Sequence, residues 1–196
     1  MPLKSHRKMP RILIASVIFA GLVGATQAQK DFSELDVPFV PTPPEVVNRM
    51  LDMAKVTKDD FVMDLGSGDG RIAIAAAKRG ARAFGVDIDP YRVNEARENA
   101  KKEGVADRAT FEVRNLFETK IGDANVLTMY LLQTVNLQLR PRILSELKPG
   151  SRVASHAFTM DEWEPDQKDV VNGRSVYFWI VPAKAQGNWQ AEIGGR

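Results

Sequence analysis

Three glycines at alternate positions constrain this chain more than any other stretch. Gly66, Gly68 and Gly70 follow a largely apolar run, Phe61–Leu65, which is typical of a buried strand. Residues 71–78 are rich in alanine and predict a helix. Glycine has no Cβ, so its backbone can turn sharply and approach a ligand closely. Strand, glycine turn and helix in this order predict a nucleotide-binding βα unit.

Acidic residues around this turn discriminate between nucleotide ligands. Asp64 lies near the strand end and Asp69 lies inside the turn, so both would repel a pyrophosphate and attract a cation. The pattern is Gly-x-Gly-x-Gly, and Arg71 stands where a dinucleotide fingerprint has its last glycine. S-adenosylmethionine carries an ammonium and a sulfonium and no phosphate. We therefore expect S-adenosylmethionine as the cofactor, with Asp64 anchoring the turn and the cofactor's amino group.

A second acid follows the next predicted strand. Asp87 lies 23 residues after Asp64, about where such units place the acid that binds ribose hydroxyls. An ionised carboxylate accepts hydrogen bonds from two vicinal hydroxyls at once, so we expect Asp87 to bind the ribose and Ile88 to lie under adenine. The cofactor-binding residues expected in the turn itself are Gly66, Ser67 and Gly68.

Strand and helix patterns alternate along the rest of the chain. Repeated βα units followed by two closing strands predict an α/β protein with a doubly wound sheet and an antiparallel C-terminal hairpin. The hairpin is predicted between residues 175–181 and 188–193. A helix with Thr42 as its N-cap is predicted to end near Ala54. Asp89, followed by a proline, is a predicted N-cap of a later helix.

Taken together, these motifs resemble a known enzyme family. Asp64–Gly70 followed by Gly85–Asp87 resembles motifs I and II of class I S-adenosylmethionine-dependent methyltransferases. With Pro38–Pro43 upstream, the chain is similar to the ATP synthase c-subunit lysine methyltransferase family and its bacterial relatives. The resemblance covers residues 37–182. It implies a seven-stranded Rossmann-like sheet and methyl transfer to the lysine amine of a protein substrate.

The resemblance also implies which segments of the chain contact the adenine end and the methionine end of the cofactor. The loop after the third strand would read adenine, with the Asn115 oxygen accepting from the adenine amino group and Leu116 flanking the ring. The alternative is a turn asparagine followed by core residues. The proline-dense stretch 37–44 would cover the methionine end of the cofactor, with Phe39 and Thr42 facing it. The alternative there is a simple connector.

The residues that contact the methyl acceptor are predicted to follow the fourth strand and to end the fifth. Tyr130-Leu131-Leu132-Gln133 stands where methyltransferases acting on base amino groups usually carry Asn/Asp-Pro-Pro-Tyr/Phe, and this departure counts against base methylation. The Tyr130 ring could hold an alkylammonium by cation–π contact. His156 is the second candidate catalytic residue, and its alternative is a hydrogen-bonded structural histidine.

The basic excess of the chain is confined to its first 28 residues. Those residues hold four of the 27 lysines and arginines and no acid. The remaining 23 basic residues face 25 acidic ones, so the rest of the chain carries a net charge of −2. Such a domain lacks a basic nucleic-acid footprint, and we expect no nucleic-acid partner. The absence of cysteine excludes disulfides and zinc–thiolate sites, and we expect no metal.

The N-terminus resembles a targeting segment. Residues 1–28 combine a basic start, the apolar run Ile12–Gly24 and a small-residue ending, Ala25-Thr26-Gln27-Ala28. Cleavage would export the domain to the periplasm or medium, and retention would anchor it to the membrane. We expect residues 29–42 to form a linker and cofactor-covering segment, and residues 43–196 to form the methyltransferase domain.

Three functions remain open at this point. A protein-lysine methyltransferase is favoured, because the chain has no large insert over the sheet and an open site suits a macromolecular substrate. The alternatives are a small-molecule methyltransferase and a catalytically inactive S-adenosylmethionine-binding module. A nicotinamide-dependent oxidoreductase is disfavoured by the acids around the glycine turn.

Overall fold

A seven-stranded mixed sheet forms the centre of the protein. The structure is a computed structural model, and it describes residues 39–183. The strands are β1 (Phe61–Leu65), β2 (Arg82–Asp87), β3 (Ala109–Val113), β4 (Val126–Met129), β5 (Arg152–His156), β6 (Gln167–Val171) and β7 (Arg174–Ile180). Their spatial order is β3-β2-β1-β4-β5-β7-β6. Strands β1 to β5 are parallel, and β7 is antiparallel to both of its neighbours.

Helices cover both faces of this sheet. They are α1 (Pro44–Met53), α2 (Arg71–Lys78), α3 (Pro90–Lys102) and α4 (Gln133–Glu146), with one turn of 3₁₀ helix at Leu116–Glu118. Helices α1, α2 and α3 share one apolar core cluster, and α4 packs into the other. Helices on both faces of a mostly parallel sheet confirm the predicted doubly wound, Rossmann-like α/β fold.

The central strands show why their sequences are apolar throughout. In β1 the four residues Val62 to Leu65 are all buried, and in β4 all four residues are buried. A strand covered by helices on both faces has no solvent side, so its sequence does not alternate. Each fully buried leucine or valine side chain contributes about 1.5–3 kcal/mol to the free energy of folding.

The strand order places a crevice at one edge of the sheet. From β1 the chain moves outward through β2 and β3, and then returns to the other side of β1 to form β4 and β5. The order therefore reverses between β1 and β4. In open α/β sheets, ligands bind at the carboxyl ends of the strands where the order reverses.

An antiparallel C-terminal hairpin is present, as predicted, but it pairs β7 with a preceding strand that the sequence did not predict. Strand β7 pairs with β6, which precedes it, in the register Val171 to Arg174. The two-residue loop between them is Asn172-Gly173, and both residues have positive φ, 50° and 77°. Asn-Gly with positive φ at both positions is the preferred two-residue hairpin turn. The predicted strand at 188–193 lies outside the described residues.

Two predicted helix caps have different outcomes. The prediction of Thr42 as the N-cap of α1 was wrong, because Pro43 occupies that position and makes no side-chain cap. The Thr42 hydroxyl is instead hydrogen-bonded to His156, a tertiary contact that competes with the local one. Asp89 does cap α3, where its carboxylate accepts from the Tyr91 N–H at 2.8 Å.

The predicted targeting segment, residues 1–28, lies outside the described residues, as does the linker up to residue 38. Within residues 39–183, none of the helices combines the length and the apolar character needed to cross a bilayer.

Candidate active site

A cavity opens at the carboxyl ends of β1, β2 and β4. It is lined by residues 39–42, which we call the covering segment, by the glycine turn and by the residues that follow β2, β3 and β4. Eight of the eleven predicted site residues line this cavity: Thr42, Gly66, Ser67, Asp87, Ile88, Asn115, Leu116 and Tyr130. The other three, Asp64, Gly68 and His156, are not among the lining residues. The cofactor and catalytic roles of all eleven stay predictions.

The glycine turn is held against β2 by its own backbone. The N–H groups of Gly66 and Ser67 both donate to the Val86 carbonyl at 2.9 Å. Gly66 and Gly68 have φ of 71° and 52°, in the region that favours glycine. A Cβ on Gly68 would lie 2.4 Å from the Phe39 ring, so the turn and the covering segment meet only because that position is glycine.

Asp87 links the glycine turn to the end of β2. One carboxylate oxygen accepts from the Gly68 N–H at 2.8 Å, and the other accepts from the Asp89 N–H at 3.0 Å. Each oxygen has further acceptor capacity, and the residue lines the cavity with Ile88 beside it. The arrangement can accept two hydroxyl groups of a ribose, as the sequence predicts.

Asp64 is a buried carboxylate with one unpartnered oxygen. Its Oδ1 accepts from the Thr128 hydroxyl at 2.7 Å, and Oδ2 has no partner among the described residues. Burial raises the pKa of Asp64 to about 7, against the lowering effect of Thr128, and the charges of Asp87 and Asp69 add to the rise. An unsatisfied buried oxygen is costly. A cationic amino group, bound directly or through water, would satisfy it, so this residue fits S-adenosylmethionine.

Asp69 and Arg71 form an ion pair beside the turn. The guanidinium Nε donates to Asp69 Oδ1 at 2.9 Å, and Nη2 lies 2.5 Å from Oδ2. The N-cap of α2 is Gly70. The Asp69 carboxylate also accepts from the backbone N–H of Arg71, but that hydrogen bond is long, at 3.3 Å. The remaining terminal nitrogen of Arg71, Nη1, donates to the Thr42 carbonyl at 2.9 Å and ties the covering segment to the turn.

The other end of the covering segment is held by an arginine that the sequence did not single out. The Arg92 guanidinium lies 3.9 Å from the centre of the Phe39 ring, a cation–π distance, and both residues line the cavity. Arg92 is in the first turn of α3, five residues after Asp87. No local pattern marks it, because its role depends on where Phe39 lies in the folded chain.

The predicted adenine loop contains a capped turn. The Asn115 side-chain oxygen accepts from the Phe117 N–H at 2.9 Å and caps the 3₁₀ helix. This is the turn-asparagine alternative. Asn115, Leu116 and Phe117 nevertheless all line the cavity, and the oxygen retains a lone pair for a further donor. The loop therefore lines the cavity, and its contact with adenine stays a prediction.

The ring of Tyr130, which lines the cavity, lies against the ring of His156. Their ring centroids are 3.9 Å apart with a 35° angle between the planes, and the Phe158 ring lies 6.4 Å from that of Tyr130. Only 2% of His156 is exposed, and its Nδ1 is 3.1 Å from the Thr42 hydroxyl. Burial lowers the pKa of His156 to about 4, with a contribution from Arg174, so the ring is neutral at pH 7. The hydrogen bond matches the structural alternative for this histidine.

Comparison with known proteins agrees with this geometry. The ANTKMT methyltransferase domain matches residues 64–167. A "Protein-lysine N-methyltransferase" of Saccharolobus islandicus is 47% identical over 151 residues, which are 74% of this chain and 94% of that protein. The human lysine N-methyltransferase of the ATP synthase c-subunit is 33% identical over 66% of this chain, and the match spans only 55% of the human protein.

A solved structure shows the same fold with a cofactor product bound. It is described as an RNA methyltransferase from Salinibacter ruber in complex with S-adenosyl-L-homocysteine. It is 48% identical, with a TM-score of 0.73, and the match covers 78% of this chain and all of that one. The resemblance predicted from the glycine turn and its flanking acids is thereby confirmed. This chain belongs to the ANTKMT methyltransferase domain family and is an S-adenosylmethionine-dependent methyltransferase.

Proposed function

We propose that the chain methylates the side-chain amine of lysine in a protein substrate. The observation that carries the proposal is the aromatic, uncharged wall of the cavity, where the Tyr130 ring lies against the ring of a neutral His156. Such a wall attracts an alkylammonium by cation–π contact and offers no charge to repel it. The name of the Saccharolobus islandicus relative, which matches over nearly its whole length, supports the same acceptor.

The chemistry asks little of the protein beyond positioning. S-adenosylmethionine, when bound, supplies an activated methyl group. The chain's residues have to align the acceptor nitrogen with that methyl group and exclude water. A lysine amine attacks only when neutral. Desolvation in the cavity lowers the pKa of the amine, and this effect opposes the cation–π contact, which favours the charged form. The proton leaves to solvent before transfer, so no strong base is needed, and His156, with a pKa of about 4, would be a poor one.

RNA is the rival substrate that a relative's description raises. The Salinibacter ruber protein is described as an RNA methyltransferase. Two features of this chain favour protein instead. Tyr130-Leu131-Leu132-Gln133 lacks the Asn/Asp-Pro-Pro-Tyr/Phe pattern of base methyltransferases, and residues 29–196 carry a net charge of −2 rather than a basic excess.

A methyl-transfer assay on cell extract distinguishes the candidates. The full chain is incubated with radiolabelled S-adenosylmethionine and extract that has been treated with ribonuclease, with protease or with neither. We expect protein-bound label that survives ribonuclease and yields methyl-lysine by mass spectrometry. Label lost to ribonuclease would indicate RNA, and a new labelled low-mass compound, separated chromatographically from S-adenosylmethionine, would indicate a small molecule. Cofactor binding without label would indicate an inactive module. Asp87→Ala is the control that should transfer nothing.

We also propose that residues 1–28 direct export or anchor the chain to a membrane. The support is the basic start and apolar run of the sequence alone. Fusion of residues 1–40 to a reporter enzyme active only outside the cytoplasm tests export, and N-terminal sequencing of the purified protein tests cleavage after Ala28. An inactive reporter and an intact N-terminus in the soluble fraction would contradict both alternatives.

A further inference from the structure

A buried histidine joins two walls of the cavity that come from distant parts of the chain. Thr42 is in the covering segment ahead of α1, and Tyr130 follows β4, and both line the cavity. His156, the last residue of β5, is not a lining residue but contacts both of them. Its Nδ1 is 3.1 Å from the Thr42 hydroxyl, and its ring centroid is 3.9 Å from that of Tyr130.

His156, Thr42 and Tyr130 are each held in place by further contacts. His156 is held in the sheet by its register with Val176 of β7, and only 2% of it is exposed. Thr42 is 3% exposed, and its carbonyl accepts from Arg71 Nη1 at 2.9 Å. The backbone and the side chain of Thr42 are therefore both engaged. Tyr130, by contrast, is held through its ring, which lies against the rings of His156 and Phe158.

The protonation state of His156 suits packing better than proton transfer. Burial is the main reason that its pKa falls to about 4. A neutral imidazole stacks on a phenol ring without the cost of burying a charge. The same low pKa makes the ring a poor acceptor for the proton of a lysine ammonium, because the transfer would be far uphill.

We infer that His156 is a positioning residue, which holds the Tyr130 ring at the methyl-transfer end of the cavity and links that ring to Thr42 of the covering segment. The orientation of the acceptor wall then depends on the covering segment being in place. Removing the Thr42 hydroxyl should loosen Tyr130 although the two residues are 88 positions apart in the chain. The inference rests on the methyltransferase activity and holds for any acceptor.

Sinefungin makes the acceptor wall measurable without a known acceptor. In this analogue of S-adenosylmethionine, an amine-bearing carbon replaces the methylsulfonium, so an ammonium stands at the transfer point. S-adenosylhomocysteine has neither the methyl group nor the charge. The ratio of the two dissociation constants, measured by calorimetry on the full chain, therefore reports the contact between a cation and the Tyr130 ring. A correctly placed ring should favour sinefungin by at least about threefold.

Variants separate the two contacts of His156. His156→Asn keeps a polar atom near the Nδ1 position and removes the ring beneath Tyr130. Thr42→Val keeps the shape of residue 42 and removes the hydrogen bond, and Thr42→Ser restores the hydroxyl. Tyr130→Leu removes the aromatic wall itself. Thr110→Val, on the edge strand β3 and outside this cavity, is the matched control for a threonine-to-valine change.

The expected result is a loss of ligand preference rather than of cofactor binding. His156→Asn, Thr42→Val and Tyr130→Leu should each bring the ratio towards one, because sinefungin loses more affinity than S-adenosylhomocysteine, which carries no charge at the transfer point. Thr42→Ser and Thr110→Val should keep the preference. His156→Asn added to Tyr130→Leu should cause no further loss, because both changes remove the same contact.

Three outcomes would overturn the inference. One is a ratio near one in the unaltered protein. Another is an unchanged ratio in both His156→Asn and Thr42→Val, and the third is equal weakening of both ligands with additive effects in the double variant. A purely structural histidine would lower the melting temperature and leave the ratio alone. Should His156→Asn fail to fold, Thr42→Val and its serine rescue decide the question. Methyl transfer to any extracted acceptor is a separate measurement, so failure of the lysine proposal remains distinguishable.

Discussion

Asp87 is engaged on both carboxylate oxygens by backbone N–H groups, of Gly68 and Asp89, and still lines the cavity. Its charge therefore serves the turn and the predicted ribose at once. We expect Asp87→Asn to weaken S-adenosylmethionine binding by about tenfold or more, because charge-assisted hydrogen bonds contribute about 1.5–3 kcal/mol each. Isothermal calorimetry with the full chain measures the change.

The matched control for this prediction is Asp89→Asn. Asp89 also lines the cavity, but its carboxylate caps α3 by accepting from Tyr91. Its own N–H, which binds Asp87, is unchanged by the substitution. Asp89→Asn should keep cofactor affinity within about twofold, since asparagine is also a good N-cap. Equal binding by Asp87→Asn and the unaltered protein would remove the ribose assignment.

Two buried titratable groups should give opposite slopes of stability against pH. The pKa of Asp64 rises from 3.8 to about 7 on folding, so the folded chain binds more protons than the unfolded chain between those values, and stability falls as pH rises. The pKa of His156 falls from 6.5 to about 4, so stability there rises with pH. Each slope is about 1.4 kcal/mol per pH unit at most. The two nearly cancel between pH 4 and 6.5.

Replacing either Asp64 or His156 should reveal the pH dependence of stability that the other residue causes. We expect urea unfolding of Asp64→Asn to show stability rising between pH 4 and 6.5, because the His156 contribution is left alone. His156→Asn should show the reverse, stability falling towards pH 7. If Asp64 binds the cofactor's amino group as predicted, S-adenosylmethionine affinity should rise as pH increases through about 7 in the unaltered protein, because the carboxylate ionises there. That rise should be absent in Asp64→Asn, and its persistence there would assign the titration to another group.

At the scale of elements, the hairpin β6–β7 depends on a two-residue turn that also supports α1. Gly173 has φ of 77°, and Asn172 donates to Glu45 of α1 at 3.1 Å. We expect Gly173→Ala to destabilise the fold by about 1 kcal/mol, because an alanine is strained at that φ. Asn172→Gly should cost less than Gly173→Ala, since it keeps the positive φ and loses only a partly exposed hydrogen bond. Urea unfolding compares them.

The same hairpin shows which elements a single sequence can predict. The glycine turn after β1 was predictable because its requirement is local: a buried apolar strand, positive φ at the glycines and an alanine-rich helix follow one another. Asn172-Gly173 is an equally local signal for a hairpin. It was missed because strand β6 is mostly exposed and polar, so its sequence lacks the apolar alternation by which strands are recognised.

Other parts of the site depend on tertiary contacts and leave no local trace. Thr42 has the sequence context of an N-cap, but its hydroxyl binds His156, 114 residues away. Arg92 is unremarkable in α3 until the Phe39 ring lies against it. Asn115 was expected to read adenine, and its oxygen also caps the 3₁₀ helix. In each case the residue type was informative, and its partner was decided by packing between distant segments.

At the scale of the whole molecule, the cavity is where the two halves of the sheet meet. Strands β1, β2 and β3 and helices α2 and α3 position Asp64, the glycine turn, Asp87 and the predicted adenine loop. Strands β4 and β5 bring Tyr130 and His156, and the covering segment contacts both halves through Arg71 and His156. A ligand in this cavity therefore contacts residues from both halves of the sheet.

Cofactor binding should therefore stabilise the whole fold, and the ligand class is testable by that means. At a concentration about 100 times its dissociation constant, a ligand that binds only the folded state adds about 2.7 kcal/mol to the free energy of unfolding. For a domain of this size each kcal/mol raises the melting temperature by about 2–4 °C. We expect S-adenosylmethionine to raise it by several degrees. NAD at the same concentration should leave it unchanged, because Asp64 and Asp69 beside the glycine turn disfavour a pyrophosphate. Stabilisation by NAD and not by S-adenosylmethionine would contradict the electrostatic basis of the site.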